Sequence, residues 1–291
     1  MIKKILNENA RKTDIFLKKY LDKQTFSDLV PPMKHGSLSG GKKIRSSVVL
    51  GTGKLFNINT VKLLNICAAV ECIHSYSLIH DDLPCMDDDK IRRGKPAAHI
   101  KFGESTAILA GNSLLTLAFE MITDQNYKIE NKSKIELVRS LAYCSGHAGI
   151  AGGQYLDLNF EKKKKTFTDI LDMQRKKTGK LLNICCYAAG IIAKKKNKEL
   201  KSLSKLGEDI GLLFQFADDF IDIKGSKKLA GKSTKKDQKK GKSTLVALIG
   251  YEKAYSYASK LKKNILSKLS KHGKKANNLI NTVEFILERN F

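Results

Sequence analysis

Apolar residues recur at three- and four-residue intervals through almost the whole chain, whereas strand-type alternation between Gly-rich turns is nearly absent. That pattern predicts an all-α protein, with helices over about 3–21, 43–54, 60–80, 104–122, 133–150, 168–193, 199–224, 243–270 and 275–289. The four Pro, at 31, 32, 84 and 96, read as punctuation between these segments. Two stretches without hydrophobic period read as functional loops: Cys85 to Gly103, and Lys224 to Lys242, the second a lid or phosphate-contacting loop. No linker or fixed repeat divides the 291 residues, so residues 1–291 are expected to form one domain.

Composition sets the class. Hydrophobic residues at 42% and charged residues at 29% suit a globular protein with a sizeable core. The chain lacks a run of about 20 uninterrupted apolar residues and a signal-peptide core at its start, so a cytoplasmic protein without stable membrane insertion is expected. Six Cys show neither a CxxC pair nor metal-ligand spacing and read as reduced core residues. The net charge of +25 raises the possibility of a nucleic-acid binder. Only seven of the 54 basic residues are Arg, and the Lys are spread over the whole chain, a pattern that fits coding bias and solvated turns at least as well.

Negative charge, by contrast, is concentrated in two places. In IHDDLPCMDDDK five Asp fall within nine residues; Asp81 and Asp82 end an apolar helix, and Asp87 follows after four intervening residues. Carboxylates this close repel unless a cation holds them, and acids at a helix C-terminus also oppose its dipole. In FQFADDFID, Asp218, Asp219 and Asp222 lie inside an apolar helical run. Residues four apart share a helix face, so Asp218 and Asp222 project together beside Leu213, Phe214 and Ile221, which are expected in the core. Unpaired buried carboxylates would be prohibitively costly. The two clusters therefore predict oxygen-only coordination of hard divalent cations, Mg2+ in particular, which keeps some waters and binds substrate phosphates.

A phosphate carried on Mg2+ should also meet cationic side chains. Arg92 and Arg93 follow the first cluster, and GGKKIR (residues 40–45) sets Lys42 and Arg45 after a flexible Gly pair at the start of a helix. RKKTGK (175–180) and the loop bearing Lys232 and Lys242 add more. GKST occurs at 231–234 and 241–244, but a mononucleotide-binding loop needs a Gly where Ser226 and Lys236 stand, and neither segment follows a predicted strand.

In order, GGKKIR, IHSYSLIHDDLPCMDDDKIRRGKPAAH, AGGQYLDL, KTGKL, GLLFQFADDFID and GKST closely resemble the short-chain trans-prenyl diphosphate synthases, from about residue 36 to the C-terminus. The resemblance implies the isoprenoid synthase fold: antiparallel helices around a deep central cavity, usually a homodimer, with the two Asp motifs facing each other at the mouth. It also implies a reaction. An allylic diphosphate ionises, the double bond of isopentenyl diphosphate attacks the carbocation, and proton loss leaves a chain one isoprene unit longer.

Residue by residue, the resemblance makes Asp81, Asp82 and Asp87 ligands of two Mg2+, and Asp218 with Asp222 the site of a third. Arg92, Lys177, Lys232 and Lys242 match positions that hold the allylic substrate, dimethylallyl or geranyl diphosphate. Lys42, Arg45, His74 and Arg93 match those that hold isopentenyl diphosphate. His74 alone would read as a core residue; it lies two helical turns before Asp81, near the same face. Thr178 and Gln215, beside Lys177, match positions whose oxygens face the developing carbocation. Tyr76, five residues before Asp81, matches a position where an aromatic ring floors the cavity and limits product length, favouring C15 farnesyl diphosphate over C20. Lys90 in the Asp run, Ser46 in place of a common Pro, Asn112 in place of a common Asp, and Leu245 with Val246 in place of a frequent Tyr-Pro depart from the pattern. A geranylgeranyl product, a nucleic-acid binder and a non-catalytic partner on the same fold are the alternatives.

Overall fold

The computed structural model of the protein describes residues 2–24, 27–161, 163–224 and 244–288. Its helices are α1 (Ile2–Asp22), α2 (Val30–Ser37), α3 (Ile44–Leu55), α4 (Val61–Asp81), α5 (Ala98–Phe102), α6 (Glu104–Thr123), α7 (Asn131–Ser145), α8 (Ile150–Phe160), α9 (Phe167–Gln174), α10 (Lys180–Ile192), α11 (Asn197–Lys224), α12 (Leu245–Ile249), α13 (Tyr251–Ser270) and α14 (Asn277–Glu288). A two-residue hairpin, β1 (Ile91–Arg92) with β2 (Lys95–Pro96), is antiparallel and pairs Ile91 with Pro96 and Arg92 with Lys95.

The most uniformly apolar helix becomes the centre. α4 buries every residue from Asn65 to Ile73, right round its circumference, as a helix with neighbours all round must. α6 lies along it, α3 bridges it to α10, and α11 runs along α10. α13 has the single buried stripe of an outer helix, Ala254, Ala258, Ile265 and Leu269, with its lysines outside. One apolar core extends from Leu6 in α1 to Leu287 in α14. Cys67, Cys72, Cys144, Cys185 and Cys186 are buried in it as free thiols, and Cys85 is exposed. Among the described residues α6 alone is long and apolar enough to cross a membrane; it packs here against α4.

Three helices lie where periodicity predicts none. α2 carries Pro31 and Pro32 in its first turn, where a residue needs no N–H. α8 contains Gly152 and Gly153, whose low helix propensity disguises it; the helix expected over 133–150 stops at Ser145 and restarts at Ile150. The stretch from Cys85 to Gly103 holds the hairpin and α5. The helix expected over 243–270 is broken at Gly250, which sits at φ 81° between α12 and α13.

Candidate active site

α4 ends at Asp81, and the turn that follows folds back on it. The Asp87 amide donates to the Asp81 carbonyl at 2.8 Å, and the Asp89 amide to the Asp82 carbonyl at 3.1 Å. All five acids therefore ring one turn. Arg92 reaches in from the hairpin: its Nε lies 3.0 and 3.1 Å from the two Asp82 oxygens, and its Nη2 donates to Asp82 Oδ1 and, at 3.2 Å, to Asp89 Oδ2. Burial raises the pKa of Asp82 against the pull of Arg92. Burial also opposes the charge on Arg92, but the bonds and charge of Asp82 outweigh it and raise the guanidinium pKa. Asp81 has no such clamp. Burial pushes its carboxyl up to about 6, with Asp87 and Asp82 adding to the push and Lys177 and Arg92 opposing it.

The GGKKIR stretch turns sharply into α3, with Gly40, Gly41 and Lys43 at φ 84°, 104° and 44°. Arg93 lies over this turn. Its Nη1 donates to the Gly40 carbonyl at 2.8 Å, and a Cβ on Gly41 would come within 3.0 Å of its guanidinium carbon. The adjacent arginines thus diverge, Arg92 to the Asp turn and Arg93 to the Gly turn. Lys42 is exposed, with Nζ 4.7 Å from the Phe285 ring centroid of α14. Lys43 points inward instead and donates to the Ser37 carbonyl at 2.6 Å. The Arg45 guanidinium stands 5.8 Å over the Phe214 ring, and its buried Nε has no hydrogen-bond partner among the described residues. His74 is held neutral: burial, then the charges of Arg45 and Arg93, push its pKa well below the ordinary imidazole value.

α9 starts at a capping box, Thr166 with Asp169, and widens at Arg175–Gly179 into a π-helical turn before α10. One extra residue per turn re-aims the side chains it carries, here Lys177 and Thr178. Close backbone approach makes room for the turn: a Cβ on Gly153 of α8 would lie 2.1 Å from the Lys177 amide nitrogen, and one on Gly211 of α11 would lie 2.6 Å from Gly179 Cα. Lys177 Nζ is 2.6 Å from Asp157 Oδ2 of α8. Thr178 Oγ1 donates to Gln215 Oε1 at 3.1 Å, and Gln215 Nε2 donates to buried Asp219 at 2.9 Å, which also accepts from Gln174 Nε2 at 3.2 Å.

α11 completes the site. Asp218 is exposed and its charge acts on Arg45, while Asp222, one turn on, is half-buried. Side-chain charges and hydrogen bonds thus link Asp81 to Lys177, Thr178 to Gln215, Asp218 to Arg45, and Arg45 to His74 on α4. The structure brings these residues together in one network. Lys232 and Lys242 lie outside the described residues. Among the described residues, no three carboxylate, His or Cys side chains form a ready-made cation cage. The donors still fit Mg2+, being oxygen-only with Asp81 raised by burial and, less, by its acidic neighbours, because Mg2+ usually completes its shell with water and substrate phosphate.

Asp89, Asp157, Asp219 and Glu71 also belong to this constellation; sequence reasoning counted Asp89 and Asp219 only as members of the acidic clusters and gave Asp157 and Glu71 no role. Asp89 and Asp219 sit inside the motifs and Asp157 ends AGGQYLD, while Glu71 is the lone acid in an otherwise apolar stretch of α4 before its end. Of the departures from the family pattern, Lys90 and Asn112 are exposed, Leu245 and Val246 are buried at the start of α12, and Ser46 is buried near the start of α3.

Acidic side chains of α4 and α11 thus share one all-helical network with the cations Arg45, Arg92 and Lys177. The chain belongs to the polyprenyl synthetase family, which it matches over residues 27–283. The farnesyl diphosphate synthase of Escherichia coli (strain K12) is 41% identical over 267 residues, covering 90% of this chain and 89% of that protein. An apo FPP/GFPP synthase from Zymomonas mobilis has the same fold at a TM-score of 0.88, with 34% identity and 98% of each chain covered. A geranyltransferase from Helicobacter pylori, solved with magnesium and isoprenyl diphosphate, gives 0.81 at 30% identity over 98% of this chain and 96% of that one.

Proposed function

We infer that this protein is a Mg2+-dependent prenyltransferase that condenses isopentenyl diphosphate with dimethylallyl or geranyl diphosphate to farnesyl diphosphate in isoprenoid biosynthesis. One observation carries the reading: acids and bases share one network without all neutralising one another, with Asp81 unclamped and Arg45 Nε unpartnered among the described residues.

In this reading Asp81, Asp82 and Asp87 hold two Mg2+, and Asp218 with Asp222 holds a third. Bound there, Mg2+ acts as Lewis acid and template, making diphosphate a better leaving group. Arg92 and Lys177, with Lys232 and Lys242, hold the allylic diphosphate. Lys42, Arg45, neutral His74 and Arg93 hold isopentenyl diphosphate on the other side of the hairpin, so the two diphosphates bind to different walls. The Thr178 and Gln215 oxygens, fixed by Asp219, present oriented dipoles to the developing carbocation. The departing diphosphate accepts the proton lost at the end.

The whole chain serves as one catalytic unit, in the cytoplasm, and works as a homodimer. The exposed apolar side chains Ile108 and Leu109 on α6 and Ile135 and Tyr143 on α7 support a face for a second copy. A longer product is the second reading, since the Zymomonas neighbour is an FPP/GFPP synthase. The +25 charge motivates a nucleic-acid binder, which would give the two Asp clusters no task. Diphosphate release from geranyl and isopentenyl diphosphates tests the inference: it should require Mg2+ and stop with EDTA. Release that ignores the metal would reject it.

A further inference from the structure

Glu71 lies on α4, three residues before His74 and only 1% exposed. Its contacts run to the start of α3. Glu71 Oε1 accepts from the Ser46 amide at 3.2 Å and from the Ser46 hydroxyl at 2.9 Å, and Oε2 is 3.8 Å from Lys43 Nζ. The first N–H groups of a helix have no partner within it, and α3 has no acid in its first turn and no capping side chain at its N-cap. Glu71 supplies the acceptor from another helix, at the end where the dipole favours an anion.

The same carboxylate acts through its charge on two cations of the site. Burial lowers the pKa of both Arg45 and Arg93, and on each the strongest opposing charge is Glu71. Arg93 also disfavours the charge of Arg45. One buried acid thus steadies a helix end and two guanidiniums at once. A Pro at position 46 would offer Glu71 neither donor; Ser46 offers two.

We propose that Glu71 is the positioning residue of the isopentenyl diphosphate subsite, holding the start of α3, Arg45 and Arg93 ready for the diphosphate, with Ser46 fixing its carboxylate. This rests on the reading that Lys42, Arg45, His74 and Arg93 bind that substrate. The sign of the effect distinguishes the role. On charge alone, removing an acid beside a phosphate subsite should tighten binding; loss of positioning weakens it.

Steady-state kinetics of Glu71→Gln, which keeps the shape and the Oε1 acceptor, test this with each substrate varied in turn. KM for isopentenyl diphosphate should rise about tenfold, while KM for geranyl diphosphate stays within about twofold. Ser46→Ala, which keeps the helix amide bond, should raise the same KM about two- to threefold, and it decides the question if Glu71→Gln does not fold. An unchanged or lowered KM for isopentenyl diphosphate, or equal rises in both KM values, overturns the proposal. Arg93→Gln runs beside them. If Arg93→Gln raises that KM and Glu71→Gln does not, the role of Glu71 is rejected alone; if neither moves it, the subsite reading itself is wrong.

Discussion

The Tyr76 ring meets the His80 ring edge-on, with centroids 5.5 Å apart and planes at 86°. His80 Nε2 is 3.0 Å from the Ile108 carbonyl of α6, and α6 comes this near because a Cβ on residue 111, a Gly, would lie 2.2 Å from that nitrogen. Tyr76 is therefore backed by a fixed neighbour, five residues or about 1.4 turns before Asp81. Tyr76→Ala should open space for a longer tail and shift product toward C20, read by chromatography of the dephosphorylated alcohols. Unchanged C15 product from this mutant would remove the floor.

Arg92 is the sole fork on Asp82 among the described contacts, and Asp82 is 2% exposed. Arg92→Ala leaves a buried carboxylate without its partner. Because Arg92 itself is partly exposed, the stability loss in urea unfolding should be about 2–3 kcal/mol, at the low end for broken buried pairs. Arg92→Lys keeps the charge but not the fork and should fall between. Wild-type stability in Arg92→Ala would contradict this account of the hairpin.

The site residues were legible where each broke a local rule. Asp81 and Asp82 oppose a helix dipole, and Asp218 and Asp222 interrupt an apolar run. The π-helical turn was not legible, because nothing in RKKTG marks an added residue; the turn depends on α8 and α11 approaching through Gly153 and Gly211. For the same reason α8 was hidden, since the glycines that lower its propensity are the ones the packing requires. Glu71 left a signal as a buried acid, but its partners on α3 lie 25 residues away in sequence, and only the fold joins them.

Gly211 tests the π turn directly. A methyl at this position meets backbone, which cannot swing aside, so Gly211→Ala should destabilise by about 1–3 kcal/mol. It should also lower kcat, by moving Thr178 off Gln215. An Ala variant with parental melting temperature and kcat would show that the close approach is dispensable.

Proton linkage at Asp81 gives a pH signature. With its pKa raised from 3.8 to about 6, the folded metal-free protein binds more protons than the unfolded chain between those values and loses stability as pH rises across that window. A cation needs the ionised form, so Mg2+ affinity should weaken about tenfold per pH unit below about 6. Mg2+-induced shifts in melting temperature from pH 5 to 8 check this; a shift independent of pH would rule Asp81 out as a ligand.

The central claim is tested most directly by the length of the product. Incubated with isopentenyl and geranyl diphosphates and Mg2+, then dephosphorylated and chromatographed, the protein should yield the C15 alcohol farnesol as main product, and none with EDTA. Absence of metal-dependent condensation would contradict the prenyltransferase itself, and C20 as the main product would contradict the chain-length account built on Tyr76.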